Sequence, residues 1–522
     1  MNIQFKYLRP KALRICRRFL HVETECKQMP KWLKPKGHET DITIYNPITK
    51  YNVPLILKNK DILRWYICGP TVYDSAHIGH ATTYVKSDII RRILSNYFNI
   101  DVVMVMCITD VDDKIIRRSK ELQQNFQELT RHYQDEFLED MKALNVAKSD
   151  LYCRVTEFIP DIIQFINNIV NNDGAYVAKD GCVYFDTMKY NKYGKLSPPF
   201  PDTDHPNKKS ALDFTLWKTA KEGEPFWESP WGPGRPGWHI ECSTIASTVF
   251  GNSIDLHSGG IDLAFPHHEN EEAQSCCYHG VDQWVNYWLH CGHLCLKGDV
   301  KMSKSLNNTI SIREFLTKYS ANQFRVLCLL SNYKNGIEYS DLVMANAVAI
   351  LKRFENFISD CDNYIAGKLS CTDVDEVSLL QCLEETKHNV NAALTNDFNT
   401  AEAVQLLLKL TSLGNKMLHN YDEAQGNVGK RSVTAIGAVS NYISTTLIKF
   451  GITQSVAAED HKMNIIDDFV NFRAAVRKRL LELNPKDAAL LNACDEARSN
   501  LSAYGVTIKD TRNTSTWSIK KY

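Results

Sequence analysis

The chain has 522 residues, and at about 150 residues per domain this length allows roughly three to four domains. Hydrophobic residues make up 44% of the sequence, enough for large buried cores, but no apolar run reaches the roughly 18 residues that a membrane-spanning helix needs. The 61 basic and 61 acidic residues cancel, so nucleic acid could be bound only through local basic patches, and sixteen irregularly spaced cysteines exclude a disulfide scaffold.

The first 40 residues differ from the rest of the chain in their charge. Six lysines and arginines precede the first acidic residue, Glu23, and leucine and isoleucine residues are interspersed with them. An arginine-rich, acid-free and amphipathic beginning is typical of a mitochondrial transit peptide. We therefore expect residues 1–40 to direct the protein to the mitochondrial matrix; the alternative is a basic arm that contacts RNA.

Residues 62–97 predict a strand, a turn and a helix. The sequence ILRWYIC (62–68) has the apolar character of a buried strand, and Gly69-Pro70 marks a turn after it. Apolar residues then recur at helical spacing between Tyr84 and Tyr97. The next segment, IDVVMVMCITDVDDK (100–114), predicts a second buried strand with a polar end.

This order of elements predicts a βαβ unit with a parallel sheet, and hence an α/β protein. Ligands of such sheets bind beyond the carboxyl ends of the strands. Cys68, His77 and Thr109 all fall at that edge. Neither predicted strand is followed by G-x-G-x-x-G, and no G-x-x-x-x-G-K occurs, so neither a dinucleotide-binding fingerprint nor a P-loop is indicated.

The rest of the chain changes character several times. Residues 151–235 contain proline-rich turn clusters and read as an insertion between two halves of one domain, whereas residues 236–300 return to alternating strands and helices. The periodicity of residues 341–455 is helical. In the last region, five apolar residues at helical spacing predict a helix with basic residues beside its apolar stripe: Ile465, Phe469, Phe472, Val476 and Leu480.

Two short motifs point to a nucleotide. His77-Ile78-Gly79-His80 stands at a predicted helix start, where free N–H groups favour phosphate, and Gly79 leaves room for a flat base. KMSKS (301–305) places Lys301 and Lys304 in a loop, which suits the charge that develops on a leaving pyrophosphate, although a solvated charged loop is the simple alternative. Together the two motifs are similar to the nucleotide-binding signature of class I aminoacyl-tRNA synthetases.

A third segment, FPHHENEEAQ (265–274), predicts a helix that begins at Pro266 and offers metal ligands. Two histidine–glutamate pairs on it are each four residues apart and so share a face: His267 with Glu271, and His268 with Glu272. Cys68 and Cys242 add two thiolates, and a set rich in nitrogen and sulfur suits Zn²⁺. The residues alone leave open which pair takes part.

Another cluster is tighter in sequence but less suited to a metal. Its members are His290, Cys291, His293 and Cys295. They lie in an apolar segment that reads as a strand, where alternation would divide them between two faces. We therefore interpret them as core residues.

Six segments between residues 66 and 306 carry a family resemblance: CGPTVYDSAHIGH, ITDVDDKII, DFTLWK, SPWGPGRPGWHIECS, DLAFPHHENEEAQS and KMSKSL. Together they resemble the cysteinyl-tRNA synthetases. A weaker resemblance continues through NDFNTAEA (396–403) to YGVTIKDT (504–511). The metal-ligand segments are specific to this family and its close ligase relatives.

The resemblance implies site residues. It implies one zinc ion per chain, with the first histidine chosen over the second and with four ligands: Cys68, Cys242, His267 and Glu271. We also expect the helix to turn His268 away from Glu271. The positions that match cysteine-binding residues are Gly69, Thr109, Trp238 and His267. Those that match ATP-binding residues are His77, Gly79, His80, Lys301 and Lys304, of which we expect the two histidines and two lysines to be catalytic.

The sequence departs from the family pattern at four places, none of which is a metal-ligand position. Thr82 stands where bacterial members often carry arginine, Thr244-Ile245 where alanine and methionine are usual, and Asn307 where glycine is common. His257-Ser258-Gly259-Gly260 replaces a run of three glycines. These differences affect local contacts only.

The resemblance also implies the activity: a ligase that activates L-cysteine with ATP and Mg²⁺ and transfers it to tRNA(Cys). Pocket shape discriminates roughly 10–200-fold per small group, whereas zinc prefers a thiolate to the hydroxyl of serine. We expect a monomer with no membrane partner, and nothing in the sequence indicates pyridoxal phosphate.

Two rival functions are a ligase that joins cysteine to an amino sugar and a non-catalytic RNA-binding paralogue. The long region after residue 341 argues against the first, and the intact motifs argue against the second.

The predicted fold is a class I Rossmann-like catalytic domain with a parallel sheet and an insertion, followed by an α-helical tRNA-binding domain and a small C-terminal domain. The predicted division of the chain is: transit peptide 1–40, first catalytic half 41–150, insertion 151–235, second catalytic half 236–300, KMSKS loop and stem-contact region 301–340, helical tRNA-binding bundle 341–455, and anticodon-recognition region 456–522.

Overall fold

The structure is a computed structural model, and it divides the chain into two compact units, the first ending at Ile452 and the second beginning at Thr453. Most of the predicted transit peptide, and Lys304, lie outside the residues that it describes. Those residues are 31–200, 206–296, 300–302, 308–369, 374–419, 431–453, 458–482, 487–510 and 515–519.

The first unit contains the βαβ arrangement that the sequence predicts. An antiparallel pair of strands precedes this arrangement: β1 (His38–Asn46) and β2 (Tyr51–Leu57). The unit itself consists of β3 (Ile62–Thr71), α1 (Ile78–Arg92) with a π-helical turn at Ile93–Tyr97, and β4 (Asp101–Thr109). Strands β3 and β4 pair in parallel, and Trp65, Tyr66 and Ile67 of β3 are fully buried, as expected of a strand covered on both faces.

Eight elements follow: α2 (Asp113–Leu122), α3 (Phe126–Ala143), β5 (Leu151–Arg154), α4 (Ile159–Asn171), β6 (Ala175–Val177), β7 (Val183–Phe185), β8 (Phe214–Thr219) and β9 (Gly234–Pro236). Strands β6 to β9 form a separate antiparallel sheet. Strand β5 instead pairs in parallel with β4. The segment predicted as an insertion from residue 151 therefore begins with a strand of the main sheet. The sequence did not reveal this strand, because four residues are too few to show a periodic pattern.

The main sheet is completed by α5 (Trp238–Phe250), β10 (Ile254–Gly260), α6 (Glu269–His279) and β11 (Val285–Cys291). Its five strands are parallel in the order β11-β10-β3-β4-β5. The chain moves from β3 toward β5 on one side and from β10 to β11 on the other. The switch point between β3 and β10 is where ligands of such sheets bind.

Three further strands form a small sheet in the order β13-β12-β14. The elements of this segment are β12 (Leu294–Leu296), β13 (Val300–Lys301), α7 (Ile312–Lys318), α8 (Ala321–Leu329) and β14 (Ile337–Glu338). The region predicted to be helical then contains α9 (Asp341–Ile365), α10 (Glu376–Thr395), α11 (Thr400–Leu418) and α12 (Val433–Lys449). None of the helices in the described ranges is long and apolar enough to cross a membrane.

The second unit contains α13 (Ala458–Glu482), α14 (Ala488–Ala503), β15 (Val506–Asp510) and β16 (Ser515–Ile519). The apolar stripe predicted on α13 is only partly buried, since Leu480 is buried but Ile465 and Phe472 are exposed. The centre of this unit is Arg473, whose guanidinium Nη1 and Nη2 donate to the Asp510 carboxylate at 2.8 and 3.1 Å and whose Nε donates to the Cys494 carbonyl at 2.8 Å.

We expect Arg473→Met to destabilise the second unit selectively. Removing the buried cation leaves the Asp510 carboxylate without its main partner, a change that costs roughly 3 kcal/mol. Hydrogen exchange measured on the full chain should show lost protection in residues 487–510 and unchanged protection in β3 and β4. Equal loss of protection in both units would contradict this assignment.

Candidate metal centre and nucleotide site

Four residues from three distant segments meet at the switch point of the parallel sheet. Cys68 comes from β3, Cys242 from α5, and His267 and Glu271 from the turn before α6 and from α6 itself. The ligand atoms of all four lie within 4.8 Å of one another, and all four side chains are buried. These are the residues that the family resemblance implied as zinc ligands.

The distances within the cluster are those of groups facing a common centre. Cys68 Sγ lies 3.8 Å from Cys242 Sγ and 3.8 Å from Glu271 Oε1. His267 Nε2 lies 3.0 Å from Glu271 Oε1. Two sulfurs, one imidazole nitrogen and one carboxylate oxygen form a donor set suited to Zn²⁺. The residues present therefore fit a zinc ion.

Local backbone geometry brings these side chains together. Gly69 allows β3 to run close to β4, because a Cβ at that position would lie 1.8 Å from the Cys107 carbonyl oxygen. On the other side, a π-helical turn with the cis peptide bond Phe265–Pro266 leads directly into α6. The turn presents His267 and His268 to the same buried space, and both are fully buried.

A second set of ligand atoms overlaps the first. Cys68 and Glu271 also lie within 4.8 Å of His257 and His268. His268 Nε2 is 3.5 Å from Cys68 Sγ, and His257 Nε2 is 2.8 Å from Glu271 Oε2. The expectation that the helix turns His268 away from Glu271 is therefore wrong. His268 and Glu271 are three residues apart, and residues at that spacing are neighbours on a helix, so both side chains face the cluster.

Burial disfavours the charged forms of the side chains in this cluster when no cation is bound. Burial raises the pKa of the Cys68 thiol to about 12 and also raises the pKa of the Glu271 carboxyl. Burial, with repulsion from neighbouring histidines, lowers the pKa of His267 well below its usual value. The protein thus holds neutral groups in this space, whereas a divalent cation would favour thiolate and carboxylate and reverse both shifts.

Three further histidines surround the cluster, and sequence reasoning assigned none of them to it. His239 Nδ1 is 2.8 Å from His267 Nδ1, so the opposite ring nitrogen of His267 faces Glu271. His290 Nε2 is 2.9 Å from His268 Nδ1, and His290 is buried, in agreement with its interpretation as a core residue. His257, on β10, contacts Glu271. The position of His239 three residues before Cys242 was a usable signal, because that spacing shares a helical face.

The predicted cysteine-binding residues border the cluster. The Trp238 ring stacks on His267 with ring centroids 4.2 Å apart and remains 38% exposed, so it forms the solvent side of the site. The Thr109 hydroxyl donates to the buried Glu241 carboxylate at 3.4 Å. Gly69 directly follows Cys68. The structure therefore places Trp238 against the cluster and Gly69 next to Cys68, and Thr109 contacts the residue that precedes Cys242.

The predicted nucleotide residues lie at the start of α1. The helix begins after His77, whose side chain does not cap it, and the rings of His77 and His80 stack with centroids 3.7 Å apart. A Cβ at Gly79 would come within 2.9 Å of the His77 ring and 3.5 Å of the Met302 Cβ. Gly79 is thus required by the close approach of the His77 ring, whereas its distance to Met302 is an ordinary van der Waals contact. Of Lys301 in the KMSKS segment, only the backbone is described, as part of β13.

Comparison with known proteins agrees with this arrangement. Residues 55–349 match the family model for the class I (C) catalytic domain of tRNA synthetases. The chain is 46% identical over 523 residues to a probable mitochondrial cysteine–tRNA ligase of Xenopus tropicalis, covering 94% of this chain and 91% of the relative. It is 38% identical to a cytoplasmic cysteine–tRNA ligase of Dictyostelium discoideum, covering 93% of this chain and 78% of that one.

Solved structures agree in fold. A methionyl-tRNA synthetase of Mycobacterium tuberculosis, in complex with methionyl-adenylate, superposes with a TM-score of 0.54 at 14% identity. The superposition covers 74% of this chain and 90% of that one. This similarity confirms the mixed α/β architecture around a central parallel sheet.

The two overlapping ligand sets make different predictions for adjacent histidines. The set with two thiols should hold zinc, because sulfur ligands are preferred over a second imidazole. We expect His267→Ala and Cys242→Ser to lose most of the bound zinc, and His268→Ala to weaken zinc affinity by roughly 10–100-fold or less, as an outer contact would. Zinc bound per chain, measured by elemental analysis over a range of competing chelator, distinguishes them.

Zinc loss in His268→Ala together with retention in His267→Ala would assign the metal to the other set. His279→Ala is a matched control, since the His279 ring hydrogen-bonds the Ser247 hydroxyl, lies at the far end of α6 and belongs to neither ligand set found among the described residues.

Proposed function

The chain belongs to the cysteine–tRNA ligase family of class I aminoacyl-tRNA synthetases, and we propose that it activates L-cysteine with ATP and transfers the cysteinyl group to tRNA(Cys) for mitochondrial protein synthesis. The observation that carries this proposal is the convergence of Cys68, Cys242, His267 and Glu271 beside the Trp238 ring. The cysteine substrate would bind there, at a site that must distinguish a thiol from a hydroxyl.

In this proposal those four residues hold zinc. When bound, zinc supplies a soft Lewis acid that prefers the thiolate of cysteine to the hydroxyl of serine. Shape alone discriminates roughly 10–200-fold, whereas protein synthesis needs about 10⁴. The three surrounding histidines orient the ligands, and the His239 contact fixes which nitrogen of His267 faces the centre. Trp238 closes the pocket and excludes water.

The first chemical step is formation of an adenylate. A carboxylate oxygen of cysteine attacks the α-phosphorus of ATP, and the bond from that phosphorus to the bridging oxygen breaks, so pyrophosphate leaves with the electron pair. We propose that His77 and His80 donate to the phosphates at the start of α1, where free N–H groups already favour anions. Lys301 and Lys304 neutralise the charge that grows on pyrophosphate, and Mg²⁺ accompanies ATP.

The second step transfers cysteine to RNA. The 2′-hydroxyl of the terminal adenosine attacks the carbonyl carbon of the adenylate, and AMP leaves. We propose that helices α9 to α12 contact the tRNA stem and that the second unit reads the anticodon, whose unpaired bases are open to recognition. A ligase that joins cysteine to an amino sugar would have no use for these regions. A monomeric state stays a prediction.

The expected result for the purified protein is cysteine-dependent exchange of pyrophosphate into ATP without tRNA, and charging of tRNA(Cys) when it is added. Serine should support exchange roughly 10⁴-fold less well in kcat/KM, about 5.5 kcal/mol of discrimination. Both amino acids are compared on one zinc-quantified preparation. Equal exchange with serine would overturn the proposed selection, and exchange without charging would favour a ligase with another acceptor.

We also propose a mitochondrial matrix location. Two observations support it: the basic, acid-free opening before Glu23, and the 46% identity to a relative that is named as mitochondrial. Residues 1–40 fused to a fluorescent reporter should carry it into mitochondria. A fusion in which Arg14, Arg17 and Arg18 are replaced by glutamine is the matched control and should stay outside, since the basic face is what import requires. A diffuse signal from the unchanged fusion would contradict the location.

A further inference from the structure

A buried lysine on helix α1 has no role in the chemistry described so far. Lys86 is 2% exposed, although a buried charge is costly unless it is paired or fully hydrogen-bonded. Its Nζ donates to three backbone carbonyl oxygens: Gly292 at 3.2 Å, Tyr333 at 3.2 Å and Asn335 at 2.8 Å. An ammonium group has three N–H donors, so these bonds use all of them.

The three carbonyls belong to two segments that are in close contact. Gly292 lies between β11 and β12, and Tyr333 and Asn335 lie between α8 and β14. The Gly292 N–H donates to the Tyr333 carbonyl at 2.9 Å, and a Cβ on Gly292 would lie 2.3 Å from the Asn335 carbonyl oxygen. Because carbonyl dipoles converge here, a cation is the group that stabilises the junction. Within the described part of the chain, Nζ contacts these oxygens and no carboxylate.

This junction is the base of the KMSKS segment. Strand β12 begins two residues after Gly292 and pairs with β13, which ends at Lys301. Helix α1 contacts the segment at two further places. Met302 packs against Gly79, and the Ile78 N–H donates to the Ile310 carbonyl at 3.0 Å. Helix α1 is therefore held on both sides of residues 303–307.

We infer that Lys86 is a positioning residue for the nucleotide step: it fixes α1, and with it His77 and His80, against the strands from which the KMSKS segment departs. The inference rests on the proposed function. Lys86 is not proposed to contact substrate or phosphate. It acts through α1 and through the carbonyls of the junction. A misplacement of about 1 Å between reacting groups can cost 10²-fold in rate, so loss of this anchor should be visible in kinetics.

Lys86→Met is the main test, because methionine fills a similar volume and removes all three donors. We expect kcat for cysteine-dependent ATP–pyrophosphate exchange to fall roughly 10–100-fold and KM for ATP to rise. KM for cysteine and zinc content should stay near those of the unchanged protein, because Lys86 is not part of the metal cluster. Lys86→Gln keeps two N–H donors, so its kcat and its KM for ATP should lie between those of the unchanged protein and those of Lys86→Met.

Val390→Ala is the control for a purely structural effect, since Val390 is fully buried in α10 within the helical region. Melting temperatures of all variants are measured alongside the kinetics. A Lys86→Met variant that melts lower, like Val390→Ala, but keeps its kcat and KM for ATP would overturn the inference. So would equal changes in KM for cysteine and for ATP.

If Lys86→Met does not fold, Lys86→Gln decides the question by the same criteria. The unchanged protein is measured in the same experiment. Absence of cysteine-dependent exchange in that sample would overturn the proposed function itself, whereas normal exchange together with a normal Lys86→Met variant would overturn only the positioning role.

Discussion

The rest of the structure depends on one electrostatic constraint: two thiols, an imidazole and a carboxyl share a space from which water is excluded. Such a group is stable as ions only around a cation, and as neutral groups only at the cost of shifted pKa values. Holding it requires rigid elements on every side. The parallel sheet supplies Cys68 at the end of β3, and two helices supply the other three ligands.

Much of this arrangement could be predicted from the sequence, because the signals were local. The apolar run at residues 62–68, the helical spacing after it and the second apolar run at 100–114 predicted the βαβ unit. Parallel strands place their carboxyl ends at one edge of the sheet. The spacing of four residues between His267 and Glu271 predicted a shared face. The zinc ligands themselves came from the family resemblance, since Cys68 and Cys242 are 174 residues apart and no local pattern joins them.

What the sequence could not supply depends on backbone detail. The spacing of four residues offered the pairs His267–Glu271 and His268–Glu272 equally. Only the folded chain shows that Glu271 lies among the ligand atoms, whereas Glu272 pairs with Lys195. His257 and Glu271 are 14 residues apart, and their contact depends on how the turn between β10 and α6 folds, which no periodic pattern shows. The role of Lys86 was hidden for a similar reason. A lysine in an apolar helical pattern gives no sign that three carbonyls from two other segments converge on it.

The sequence separation of the ligands has a consequence for biosynthesis. The contact between Cys68 and Glu271 closes a loop of 203 residues, so the complete ligand set exists only after nearly the whole catalytic unit has been assembled. Contacts of such long range form slowly, because the chain must lose the entropy of closing the loop before the contacts that stabilise the closed loop can form. During that interval the unassembled thiols of the nascent chain are open to oxidation and to the wrong metals. In the proposed zinc enzyme, the four ligands therefore come together only after the chain as far as α6 has folded, so no earlier folding intermediate can hold the metal with the full set.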